Sequence, residues 1–82
     1  MVYTLTYTPA ALDDLALVWV SAPDRQAVAD ASDRIDRELR VDPDLKGLPQ
    51  EDHRVYADYP LAVAYEVIPD DRLVRVIGVS HL

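Results

Sequence analysis

The sequence between residues 61 and 80 reads LAVAYEVI (61–68), PDDR (69–72) and LVRVIGVS (73–80). Two runs rich in β-branched residues flank a short stretch of proline and acids, the pattern of two antiparallel strands around a tight turn. With Asp70-Asp71 as a two-residue loop, Ile68 stands opposite Leu73, Val67 opposite Val74, Glu66 opposite Arg75 and Tyr65 opposite Val76. Side chains alternate between faces along a strand, so one face collects Val63, Tyr65, Val67, Val74 and Val76. The other collects Ala62, Ala64, Glu66, Arg75, Ile77, Val79 and His81. The first face is continuously apolar and needs a cover. The second is lined by alanines and carries one cross-strand ion pair, Glu66/Arg75.

The cover lies upstream. Residues 2–7 alternate as a strand with Tyr3, Leu5 and Tyr7 on one side. Thr8-Pro9 then supplies an N-cap and a first-turn proline. Leu12, Leu15 and Trp19 follow at helical spacing, with Asp13 and Asp14 set toward the positive helix end. Ser21-Ala22-Pro23-Asp24 breaks that helix and opens a second, about Asp24 to Arg40, with Val28, Ala31, Ile35 and Leu39 as its apolar stripe. Asp30/Arg34, Asp33/Arg37 and Asp36/Arg40 are spaced as i,i+4 pairs along its outer face. A long connection, residues 41–53, precedes a strand at Arg54–Asp58, a Tyr59-Pro60 turn and the hairpin. The expectation is a single domain over residues 1–82 with order β-α-α-β-β-β. It is an α+β fold whose helical hairpin packs on one face of a small, mostly antiparallel sheet. Leu12, Leu15, Trp19, Val28, Ile35 and Leu39 are expected to cover the Val63–Val76 face.

Charge narrows the function. Fifteen acids against eight bases give a net charge of −7, which disfavours free DNA or RNA as an electrostatic partner. No cysteine is present, so there is neither a disulfide framework nor a thiolate metal site, and two histidines alone make a poor metal site. Gly47 and Gly78 alone do not form a phosphate-cradling loop, and Ser21 and Ser80 lack His and Asp at hydrolase spacing. No cofactor is expected. No apolar run approaches the ~20 residues that span a bilayer, and a cytoplasmic location is the expectation.

The assembled pattern resembles a known family. Tyr7-Thr8-Pro9-Ala10 leads into a helix with Asp14-Leu15, and a second helix ends Ile35-Asp36-Arg37-Glu38-Leu39-Arg40 before Val41-Asp42-Pro43. Gly47, Arg54-Val55-Tyr56, Val63-Ala64-Tyr65-Glu66-Val67 and Asp70 to Val76 follow. Across essentially the whole chain this is similar to the RelE/ParE toxin superfamily of bacterial type II toxin–antitoxin systems. The resemblance implies a small antitoxin as partner and growth inhibition through the ribosome or DNA gyrase. RelE-type members are ribosome-dependent messenger-RNA endonucleases; ParE-type members poison gyrase without a nuclease centre.

Nuclease members commonly carry Arg-Leu-Val-Tyr in the third strand. Setting that tyrosine on Tyr65 puts Ala62 where the arginine stands, and alanine cannot stabilise phosphate charge. By the same resemblance Arg54 is the candidate cation of the second strand and His81 the candidate acid or base near the chain's end. The resemblance thus implies Arg54, His81 and Tyr65 as catalytic candidates and weak or no ribonuclease activity. Each has a plain structural reading beside it: Arg54 as an ion-pair residue, Tyr65 as core, His81 as a frayed penultimate residue, and neighbouring His53 as a solvated loop residue.

Overall fold

Strand β1 (Thr4–Tyr7) hands the chain to helix α1 (Pro9–Ser21) through Thr8, whose hydroxyl accepts from the Ala11 N–H at 3.1 Å. This satisfies one donor that the first turn leaves unpaired, and Pro9 removes another. Asp24 caps α2 (Arg25–Leu39) in the same way, accepting from the Ala27 N–H at 3.1 Å. The computed structural model describes residues 2–82.

A single sheet runs in the order β1-β5-β4-β3-β2, with β2 at Leu48–Pro49, β3 at Arg54–Asp58, β4 at Leu61–Ile68 and β5 at Leu73–His81. β1 is parallel to β5, and every other pairing is antiparallel. The helices lie on one face, as the hydrophobic pattern requires. One element is additional to the expected order. The 41–53 connection contains a short 3-10 turn, Pro43–Leu45, and the two-residue strand β2, which pairs with Arg54 and Val55. Two residues are too few to show a period in sequence.

The hairpin register holds at all four expected rungs, from Ile68 opposite Leu73 to Tyr65 opposite Val76. The turn itself is longer than two residues. Pro69–Asp71 forms a 3-10 turn closed by Arg72 in the left-handed region, at φ 49°. Beyond Tyr65 a bulge shifts β5 by one residue, so Ala64 faces Gly78, Val63 faces Val79 and Leu61 faces His81. Because a one-residue shift reverses the side-chain alternation, Val79 and His81 move off the face expected for them. Val79 is buried in the core instead, and His81 shares Leu61's rung while remaining exposed. The Asp14 carboxylate accepts from the Val79 N–H at 3.2 Å, so α1 is tied to the strand just past the bulge. Asp14 therefore serves the sheet rather than its own helix's N-terminus, and neither Asp13 nor Asp14 lies in the first turn.

Val63, Tyr65, Val74 and Val76 are buried with Val28, Ala31, Ile35 and Leu39, while Val67 is only partly covered. Two expected core residues are outside it. Leu12 is 53 % exposed and Trp19 42 %, because the inward line of α1 is Ala11, Leu15 and Val18. Leu12 and Trp19 each sit one residue round from that line, about 100° away on a helix. Of the three expected helix pairs only Asp36/Arg40 forms, at 3.1 Å. Arg34 instead reaches Asp58 of β3 with two hydrogen bonds, at 2.8 and 3.0 Å, and Asp30 accepts from Gln26. A bidentate pair that ties α2 to the sheet displaces the weaker local one. The cross-strand Glu66/Arg75 pair forms at 3.6 Å.

Candidate functional site

Two regions hold the residues of interest, and they differ in chemistry. The first surrounds the 3-10 turn. Tyr65 and Arg54 are cross-strand partners, so their side chains leave the sheet together. The Tyr65 hydroxyl lies 2.9 Å from the Pro43 carbonyl and 2.8 Å from that of Lys46, and its one proton is shared between them. Arg54 Nε donates to the same Lys46 carbonyl at 2.7 Å, and a second guanidinium nitrogen donates to the Gly47 carbonyl at 3.4 Å. Burial pushes the Tyr65 hydroxyl's pKa above its ordinary value, against a smaller opposing pull from Arg54. The phenol therefore stays protonated and acts as a donor. Gly47 completes the lock: its φ is +67°, and a Cβ there would stand 2.4 Å from the Val55 carbonyl oxygen. The chain passes β3 at a distance only glycine allows.

Two of the three catalytic candidates are thus brought together, and both are engaged with backbone carbonyls. The third is elsewhere. His81 lies opposite Leu61, four residues along β4 from Tyr65, roughly 13 Å of strand at ~3.3 Å per residue. Its Nδ1 is 2.7 Å from the Leu82 oxygen. Ala62, at the position where the resemblance expects an arginine, stands between Ala57 and Ser80 across the sheet. The cleft beside Arg54, about 320 Å³, is also lined by Asp44, Glu51, Asp52 and His53. His53 Nδ1 is 3.0 Å from Asp52, whose carboxyl this contact holds below its ordinary pKa. The surroundings of Arg54 are acidic, an unfavourable setting for phosphate.

The second region is apolar, and it is formed in part by Leu12 and Trp19, which the sequence pattern assigns to the core. Between α1 and α2 runs an open groove of about 490 Å³, bounded by Leu12, Leu15, Trp19 and Val20 on one side and Val28 and Ala29 on the other. Leu17 and Val20, 69 % and 68 % exposed, extend the apolar surface round α1. The signal was present: α1 carries leucine, valine or tryptophan on more sides than a helix with one buried stripe needs. Among the described residues, no group of three or more His, Asp or Glu side chains is placed to hold a metal, and no helix is long and apolar enough to cross a membrane.

No protein-family model matches the sequence, and no curated protein matches it at a significant level. Solved structures do match. The toxin–antitoxin complex RelBE2 from Mycobacterium tuberculosis contains a chain similar to this one with a TM-score of 0.79 at 19 % identity, covering 100 % of this chain and 93 % of that one. E. coli toxin RelE, as a mutant in the free state, gives 0.72 at 19 % identity, covering 99 % and 84 %. The chromosomal ParDE system of P. aeruginosa gives 0.67 at 16 % identity, covering 99 % and 97 %. The fold that the resemblance implies is the one observed: across the described residues this chain has the RelE/ParE fold.

Proposed function

We propose that this chain is the toxin component of a type II toxin–antitoxin pair, one that binds a small antitoxin and inhibits growth with weak or no ribonuclease activity. The observation that carries the reading is the open apolar groove between α1 and α2, on a fold whose matches include toxin–antitoxin complexes. Large apolar side chains left exposed side by side mark a surface that is covered in use. An amphipathic antitoxin segment laid in the groove would bury Leu12 and Trp19, as in other helix-in-groove complexes.

The low ribonuclease activity rests on the polar cluster. Cleavage at a 2′-hydroxyl needs a base, a cation for the phosphate and an acid for the leaving oxygen. Arg54 and Tyr65 already serve the Lys46 carbonyl, His81 lies on a different rung, and Ala62 offers no charge. A second reading, a non-catalytic interaction domain that keeps the toxin fold, draws on the same Ala62 position and on the net charge of −7. Induced expression with and without the neighbouring small reading frame separates the two. Growth arrest relieved by the neighbour, with both products co-purifying, is the expected result. Unimpaired growth together with co-purification would favour the interaction domain, and a clean monomer in both preparations would overturn both readings.

A further inference from the structure

Helix α1 carries apolar side chains on three sides, and the core and the groove account for only two. Its inward line is Ala11, Leu15 and Val18, while Leu12 and Trp19 turn toward the groove. On the side about 180° from the core, Ala16, Leu17 and Val20 form a further apolar surface, with Asp13 at its near end. The two ends of this surface carry opposite charges. Among the described residues Asp13 makes no ion pair and no side-chain hydrogen bond. At the far end Arg25 Nε donates to the Trp19 carbonyl at 3.0 Å, and a second guanidinium nitrogen donates to the Val20 carbonyl at 3.3 Å. These bonds fix the guanidinium in place, and among the described residues it has no carboxylate partner. Neighbouring Asp24 is occupied in capping α2. Asp13 precedes Leu17 by four residues, about 6 Å along the helix axis, and the Val20 carbonyl lies about as far beyond it.

A surface with an acid at one end, a cation at the other and an apolar centre is complementary to itself when turned through a two-fold axis. We propose that this outer face of α1 pairs with the same face of a second copy of the chain, the two helices antiparallel and crossing at Leu17. The pairing sets Asp13 of each copy against the partner's Arg25, while Leu17 and Val20 of both copies leave water. This is the isologous arrangement of a two-fold dimer. Ala16, beside Leu17, lets the helices approach closely. An anionic membrane fits less well, since it would meet a single free arginine on a chain of net charge −7. The same −7 repels a second copy, but those acids are spread along the chain and physiological salt screens charges beyond about 8 Å. The contact between Asp13 and the partner's Arg25 lies inside that distance. One helix from each copy is a small interface, so the dimer forms with rising concentration rather than permanently. Leu12 and Trp19 stay outside it, and the groove proposed for the antitoxin remains open.

Sedimentation equilibrium of the full chain, from about 10 μM to about 1 mM, reads the association directly. The apparent mass is expected to rise from 9.2 kDa toward twice that value. Leu17→Glu alters a side chain that is already exposed, and it should weaken association about tenfold or more with the circular dichroism unchanged. Asp13→Arg and Arg25→Asp should each weaken it about tenfold, because like charges then meet twice across the axis. Mixed one to one, those two variants should associate again, since in the mixed dimer both contacts join opposite charges. A constant mass of 9.2 kDa over the whole range would overturn the proposal. So would a dimer indifferent to Leu17→Glu, or a folded mixture no tighter than its components. Should circular dichroism show Arg25→Asp unfolded, Leu17→Glu and Asp13→Arg carry the test. Leu17→Glu should leave co-purification with the antitoxin unchanged, so failure of the dimer and failure of the partner reading are told apart.

Discussion

The groove between the helices and the cluster around Tyr65 are both built from large side chains, yet they stand in opposite states of completion. At Tyr65 every polar group named has a partner within the chain: the hydroxyl and the Arg54 guanidinium converge on the Lys46 carbonyl, and Gly47 lets the turn sit against β3. At Leu12 and Trp19 apolar surface remains open, with Ser32 and Asp33 the polar residues along it. We propose that the cluster serves stability and the groove serves partner binding, although the resemblance names the cluster's Arg54 and Tyr65 as catalytic candidates. A side chain's position in a motif says less about its role than what that side chain already touches.

Substitution should separate the two regions sharply. Gly47→Ala is expected to be the most damaging change, because it forces an L-residue into the left-handed region and drives a Cβ against the Val55 carbonyl. A loss of about 3 kcal/mol in urea unfolding is expected. Tyr65→Phe should cost about 1–2 kcal/mol by withdrawing a donor from the Pro43 and Lys46 carbonyls. Arg54→Ala should cost a similar amount, and the double variant should lose less or more than the sum, since both groups share one acceptor. Additive losses would show that they do not act as one unit.

The groove should respond in the reverse sense. Leu12→Gln changes stability by no more than about 0.5 kcal/mol, because the side chain is already half in water. The same change should weaken partner binding by about tenfold or more, measured through Trp19 fluorescence. A large stability loss without a binding defect would move Leu12 back into the core.

The smallest effect concerns acid. Arg34 holds the Asp58 carboxyl below its ordinary pKa, chiefly through the hydrogen bond between them. The contribution is present above the unfolded carboxylate's pKa of about 4 and fades as pH falls through the lower folded value. The pair is partly solvent-exposed, so screening leaves it a minor share of stability. Arg34→Ala should flatten the urea midpoint's fall below about pH 4 and leave its slope unchanged near neutrality. An equal fall in both proteins would remove this pair from the acid response.

Much of this was legible in sequence, for reasons that also mark where legibility ends. The four rungs from Ile68/Leu73 to Tyr65/Val76 follow from alternation next to a turn, and the Thr8 and Asp24 caps from the chemistry of helix starts. The bulge past Tyr65 has no compositional mark, so simple alternation places Val79 and His81 on the opposite side of β5 from the one they occupy. β2 is two residues long and exists through pairing with β3, a non-local event. Arg34 chose a distant aspartate over a near one for the same kind of reason. At the site, adjacency of Arg54 and Tyr65 follows once strand register is known, but their engagement with the 43–47 turn depends on that turn folding back over β3. The groove was hidden because Leu12 and Trp19 fit a core-facing helix pattern as well as an exposed one.

We propose that Arg54 and Tyr65 hold the fold together rather than act on RNA. Codon-resolved messenger-RNA cleavage on translating ribosomes tests it most directly, comparing the wild-type chain with Arg54→Ala and His81→Ala. Lacking a charge at Ala62, the wild type should cleave about a hundredfold or more below an enzyme that has one there, and His81→Ala should change nothing further. Robust cleavage by the wild type, abolished by both substitutions in proteins that remain folded, would contradict the account and return those residues to a catalytic role.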